Sequence, residues 1–349
     1  ENIKGVLRAS SVLKKRFGKV YMRVGEPIHL NKIIQGFDEP WRKMTEERRK
    51  EELQGMGEKI MFGIGRNMLI LPSGITALSL LTEHKGGIRL DLVHERAARF
   101  DNILRSMGAM SVDSLTHAGW VVEEALKRFL SEKWIERIWD ERGDVIRIIP
   151  EARITMEYYK NGLIHFMAPI SLLANAILAN DDKCTGDDTL RYFLVVAFVF
   201  RYEFITDPSL DLEGLAVQTR DSMVEYGALE KDENNKYRVV NRELLIELAQ
   251  VTHNFIESYL WALKGCLTLQ DRSITQKDLP KKLQDYGKVR LATGEILRPE
   301  ALSKINLTNA VKAFSEEGVL QFKAKSGFII ERQVWDHYVA DLEKMINVK

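Results

Sequence analysis

The sequence predicts a mainly helical protein with short β-hairpins, entered through one helix and one strand that read as the edge of an α/β layer. Three observations lead there. Helical spacing of apolar residues dominates from residue 37 onward. A helix, a glycine and a tight hairpin occur together twice, near 212–240 and 300–331. Residues 4–24 hold one helix-spaced and one alternating segment, too little for a domain of their own. The implied division is 1–36 and 37–349, the second part being one closely packed helical body with no Gly/Ser/Pro-rich linker.

Lys4 to Arg16 has helical spacing and Gly18 ends it. Lys19 to Val24 alternates as a strand does. Gly25, Glu26 and Pro27 follow as a turn, because proline cannot donate to a ladder. Helices are then expected over Trp41–Phe62, Met68–Thr82, Leu90–Met107 and Val112–Ile138. Asp144–Ile149 reads as a short strand, and Pro150 suits the first turn of the next helix. Arg153–Leu178 is the most apolar helical region. Asp187–Phe204 is another, and its run Val195–Phe200 is apolar all round, which implies burial. The two repeated units carry Tyr226-Gly227-Ala228-Leu229 and Glu317-Gly318-Val319-Leu320 between helix and hairpin, an order that resembles winged-helix units.

Composition excludes several classes. With 349 residues, 45% hydrophobic and 29% charged, the chain is ordinary for a folded body. A formal net charge of +1 offers no global field for nucleic acid. Locally, Lys4 to Arg23 carries seven bases, a segment suited to phosphate or anionic lipid, or simply a solvated face. Leu163–Ala179 is interrupted by His165, Pro169, Ser171 and Asn175 and is expected to be a buried helix rather than a membrane span. Cys184 and Cys266 share no metal-ligand spacing and read as free thiols.

No histidine of the seven has an Asp five residues on, and none pairs with another ligand at zinc spacing, so neither a catalytic residue nor a metal site is expected. The informative cluster is Met156-Glu-Tyr158-Tyr159-Lys-Asn161-Gly-Leu-Ile-His165. On one continuous helix, Tyr158, Asn161 and His165 would share a face. Buried polar groups left unpaired cost about 1–3 kcal/mol each, so these are expected to form a core hydrogen-bond network. The alternative is that His165 or Tyr158 faces a substrate channel.

The segments Phe17-Gly-Lys-Val-Tyr-Met-Arg23-Val-Gly25-Glu26-Pro27-Ile28 and Tyr158-Tyr159-Lys-Asn161-Gly-Leu-Ile-His165 together resemble the bacterial membrane-associated glycerol-3-phosphate acyltransferases. Mitochondrial relatives and dihydroxyacetone-phosphate acyltransferases share the pattern. Glu203-Phe204 and Phe314-Ser-Glu-Glu-Gly-Val319 are similar too, so the resemblance spans nearly the whole chain in order. It implies that residues 1–36 close an α/β acyltransferase domain and that 37–349 is its C-terminal helical domain. In the family a His-x4-Asp histidine acts as general base on the glycerol hydroxyl, which attacks an acyl thioester. That motif is expected upstream of Glu1, and this fragment alone is expected to be inactive.

What the resemblance implies further is acyl-CoA or acyl carrier protein as donor, glycerol 3-phosphate as acceptor, no separate cofactor, and peripheral attachment to the cytoplasmic face of the inner or plasma membrane. Gly25, Glu26 and Pro27 would lie nearest the active site, or form a structural turn. Arg23 would reach a phosphate, or sit on the surface. The alternatives are a dihydroxyacetone-phosphate acyltransferase, a non-catalytic helical scaffold, and a winged-helix nucleic-acid module. Leu212–Tyr226 argues against the last, since Arg220 is its only base beside Glu213, Asp221 and Glu225.

Overall fold

The computed structural model describes residues 20–83, 86–112, 118–141, 143–182, 185–208, 210–234, 236–270, 272–323 and 327–348. The expected first helix, Gly18, Cys184 and most of the basic segment lie outside them. A short α1 (Leu30–Gln35) leads to α2 (Glu46–Arg66). Thr45 Oγ1 accepts from Arg48 N–H at the start of α2, and Glu46 and Glu47 favour the same end of the helix dipole. No residue of α2 is buried.

β1 (Leu69–Ile70) pairs in parallel with β3 (Met110–Ser111), and α3 (Pro72–Leu81) and α4 (Leu90–Ser106) lie between them. After α5 (Ala118–Ser131), a three-stranded antiparallel sheet runs in the order β2 (Ile88–Arg89), β5 (Gly143–Ile148), β4 (Ile135–Asp140). A 3-10 turn at Pro150–Ala152 feeds α6 (Arg153–Asn161).

α7 (Ile164–Ala179) is the axis of the body. It packs on α8 (Gly186–Val199), α9 (Leu212–Glu225), α10 (Arg242–Gln250) and α14 (Arg332–Ile346). Neighbours on every side explain why it is apolar all round. α11 (His253–Leu269) is a second axis, enclosed by α12 (Leu279–Ala292), α13 (Lys304–Glu316) and α14. One hydrophobic cluster runs from Ile70 to Met345 through both.

Both repeated units form. α9 closes at Gly227 (φ +72°), where Ala228 N–H donates to the Met223 carbonyl, and β6 (Leu229–Lys231) pairs with β7 (Tyr237–Val239). α13 closes at Gly318 (φ +72°) and leads to β8 (Leu320–Lys323) and β9 (Gly327–Ile330). The observation is this helix, glycine, hairpin order, and the winged-helix reading rests on it alone.

Four expectations need correction. Residues 20–24 form no strand, because they have no pairing partner among the described residues and a ladder needs two sides. The segment 112–138 is not one helix. Lys133 takes φ +59° and Trp134 N–H donates to the Phe129 carbonyl, a helix stop made without glycine, after which Ile135–Asp140 is a strand. The segment 153–178 breaks after Asn161, and its halves meet at 101°. The helix expected over Asp187–Phe204 stops at Val199, and Val195 and Phe198 are exposed (47% and 44%) rather than buried. Among the described residues no single helix is long and apolar enough to cross a membrane, although the bent pair α6–α7 passes by length and composition together.

Candidate functional site

The α6–α7 corner organises the interior. Gly162 sits in the bend, and the N-terminal end of α3 packs close to it: a Cβ on Gly74 would lie 3.2 Å from Leu163 Cδ1 and 3.4 Å from the Tyr159 carbonyl. This bend takes Tyr158 away from the other residues expected to share a face, while Asn161 and His165 border one cavity. Tyr158 is 80% exposed and Asn161 is exposed, while His165 is half-buried on the far side of the corner. The Tyr158–Asn161–His165 network does not form. Tyr159 is an aromatic packing residue, 5.6 Å from the Trp134 ring centroid and 6.1 Å from that of Phe129.

The face of α6 that does bury is the charged one. Arg153, Glu157 and Lys160, spaced i, i+4, i+7, turn inward. Arg153 grips Glu300 through Nη2 (2.7 Å to Oε1) and Nε (3.1 Å to Oε2), and donates from Nη1 to the Glu83 carbonyl. Lys160 Nζ lies 2.9 Å from Glu157 Oε1 and donates to Asn254 Oδ1 and the Val251 carbonyl. Arg298 donates to Gln250 and pairs with Glu257 at 3.5 Å, and Glu257 accepts the backbone N–H groups of Leu297 and Arg298. His253 Nε2 meets Asn175 Oδ1 at 2.9 Å, and Asn175 also donates to the Ala249 carbonyl.

Three carboxylates balance three bases in this cluster. Burial pushes the Glu157 and Glu257 carboxyls up, with Lys160 and Arg298 respectively opposing. Burial lowers the Arg298 guanidinium. Burial is the largest influence on Glu300 and works to raise it, but the hydrogen bonds and charge of Arg153, with a backbone N–H and Lys160, together outweigh it and hold that carboxyl below its usual range. Each charge is paired, so the cluster joins α6, α7, α11 and the turn Pro299–Leu302 as a structural core. The 153/157/160 stripe was the sequence signal for it. That signal is weak in sequence because charged residues rarely bury, and the partners Glu257, Arg298 and Glu300 lie about a hundred residues or more away.

His165 opens α7 just past the corner. Its Nε2 lies 2.9 Å from the carbonyl oxygen of Gly65 in the last turn of α2. Two cavities flank it. One, of about 160 Å³, is walled by Pro169, Leu172, Phe193, Phe198, Phe204 and Leu215, with Arg201 and Thr206 as its further polar lining. The other, of about 210 Å³, is walled by Met61, Phe62, Ile64, Met68, Ile164 and Phe204, with Asn161 and Glu203 at its edge. His165, Phe204 and Ile205 line both, so the two cavities adjoin at the imidazole as the two halves of an apolar slot.

Burial lowers the His165 pKa, against the pull of the Gly65 carbonyl, which leaves the ring neutral at neutral pH. Burial raises Glu203 to about 7, with Asn309 and Tyr259 beside it acting in the opposite direction. No nucleophile stands beside His165, and no group of three metal-ligating side chains exists among the described residues. Arg23, Glu26 and Pro27 are exposed. Gly25 is half-buried against Asn67, where a Cβ would come within 2.1 Å of the amide nitrogen. The sequence-expected turn residues and the slot are therefore separate features. What the slot can do chemically is hold an apolar group and exclude water.

Fold and site define a helical body whose charged interior is structural and whose accessible chemistry is apolar. The chain belongs to the glycerol-3-phosphate acyltransferase family: the model of that family's C-terminal region matches residues 1–323. The chain is 24% identical over 341 residues to a glycerol-3-phosphate acyltransferase of Pseudomonas syringae pv. syringae, covering 92% of this chain and 40% of that protein. It is 22% identical over 337 residues to the enzyme of the same name from Pseudomonas fluorescens strain SBW25, covering 92% and 39%. Against that of Shewanella loihica it is 21% identical over 286 residues, covering 78% and 34%. The chain thus spans about two fifths of the length of these curated relatives.

Proposed function

We propose that this chain is the C-terminal helical body of a glycerol-3-phosphate acyltransferase. The whole protein then transfers a fatty acyl group from acyl-CoA or acyl carrier protein to the sn-1 hydroxyl of glycerol 3-phosphate, in phospholipid biosynthesis, while attached peripherally to the cytoplasmic face of the inner membrane. The match of residues 1–323 to the family carries this reading. The apolar slot at His165 supports it, since such a slot suits a partner of a lipid-handling site. Exposed Leu53, Ile60, Met61 and Ile64 on α2, a helix with no buried residue, support attachment to a lipid surface.

In this reading the chemistry resides elsewhere in the protein. A general base must be positioned by a partner and poised near neutral pH. His165 instead faces a backbone carbonyl. The test is transfer of labelled acyl from hexadecanoyl-CoA to glycerol 3-phosphate by the full-length gene product and by this 349-residue chain. The full-length protein is expected to yield 1-acylglycerol 3-phosphate, and the chain alone none. A full-length product that acylates only dihydroxyacetone phosphate, or no acceptor, overturns the proposal. Transfer by the chain alone does so as well.

A further inference from the structure

We propose that the slot flanking His165 binds the fatty acyl chain of the thioester donor. The identity of that ligand rests on the acyltransferase reading. The slot itself stands on geometry.

Its walls are aliphatic and aromatic, and several of them, Ala168, Pro169, Leu172, Phe193 and Phe200, are buried. A bilayer surface meets only the exposed walls, such as Phe198 and Ile205, whereas a single hydrocarbon chain can also reach the buried ones. A peptide segment fits poorly for a different reason. It would bring one N–H and one C=O per residue into walls whose polar groups are few, and unpaired backbone groups are costly there. An acyl chain has no such groups beyond its first carbon.

The waist is narrow, and the imidazole forms one side of it. Gly65 has no side chain where a Cβ would stand 3.2 Å from His165 Cδ2, so the imidazole closes down on the backbone of α2. Met61 and Met68 line the outer half, and methionine adapts its shape to an occupant. Each methylene buried is worth roughly fourfold in affinity. Binding should therefore weaken by about 250-fold from a sixteen-carbon to a twelve-carbon chain.

The experiment uses this chain and hexadecanoyl-CoA carrying a diazirine near the terminal carbon, below the concentration at which the ligand forms micelles. After irradiation the adducts are mapped by peptide mass. The expected result is labelling within 165–172 and 193–205, competed at least fivefold by unlabelled hexadecanoyl-CoA and by free hexadecanoate, but not by phospholipid vesicles of equal acyl content. Ala197→Trp, which fills the inner cavity, is expected to abolish that labelling while the melting curve is kept. Adducts spread over other surfaces, no loss with a folded Ala197→Trp, or equal competition by vesicles would each overturn the assignment. If the variant does not fold, the adduct map of the unaltered chain decides alone. Labelling needs no acyl transfer, so the two readings fail separately. A full-length enzyme that acylates glycerol 3-phosphate with no label in the slot sinks only this proposal. A labelled slot without transfer sinks only the assigned activity.

Discussion

His165 Nε2 sits 2.9 Å from the Gly65 carbonyl oxygen, and this bond ties α2 to the corner between α6 and α7. α2 has no buried residue, so it holds to the body through few contacts, of which this is one. Removing the bond in His165→Ala should raise the amide exchange rate of residues 46–66 by roughly fivefold, the equivalent of about 1 kcal/mol of local stability. Exchange within α11 should not change. Hydrogen exchange read by mass spectrometry checks both.

The two titratable groups of the slot act on stability in opposite pH windows. Glu203 is raised from 4.5 to about 7 by burial, so the folded state holds a proton that the unfolded state has released. Its contribution is present below pH 4.5 and is lost as pH rises through 7. His165 is lowered from 6.5 by burial, so its contribution is present above 6.5 and is lost as pH falls below it. Glu203→Gln should remove up to about 3 kcal/mol of the stability lost between pH 5 and 8. Urea midpoints across that range would show a flatter profile for the variant. An unchanged profile would place the charge elsewhere.

The Arg153–Glu300 pair gives a double-mutant cycle. Arg153→Met alone strands a buried carboxylate and should cost about 3–5 kcal/mol. Glu300→Leu alone strands a buried guanidinium with a similar loss. The double variant should recover most of the stability, because an apolar pair of similar volume replaces a desolvated ion pair. Additive losses would show that the two residues act independently.

Close helix packing sets a fourth expectation. A Cβ on Gly265 of α11 would stand 2.6 Å from Leu283 Cδ2 and 3.0 Å from Tyr286 Cδ1 of α12. Gly265→Val should cost about 1–3 kcal/mol by forcing the two helices apart. Thermal unfolding would show it as a lowered midpoint.

Much of the fold was legible because local rules act over a few residues. Pro150 and the glycines 227 and 318 mark a helix start and two helix ends as expected, since their backbone geometry is intrinsic. Lys133 ends α5 in the left-handed region with no such mark, so the strand after it was misread as helix. Counting along one straight helix puts Tyr158, Asn161 and His165 on one face, but the bend at Gly162 leaves Tyr158 on the open surface while Asn161 and His165 border one cavity. The slot itself had no local signal, because Phe62, His165 and Phe204 meet only after the chain has turned several times.

By itself the sequence determined the helical class, the two helix–glycine–hairpin units and membership of the acyltransferase family. Those follow from periodicity, from backbone preference and from residues in order, all of which are one-dimensional. Tertiary structure alone decided which face of α6 is buried and where an apolar ligand can enter. Burying Arg153, Glu157 and Lys160 is favourable only because Glu300, Asn254 and the Val251 carbonyl arrive from distant segments to compensate their lost hydration. The energy that selects that face resides in pairs, and pairs are made by packing.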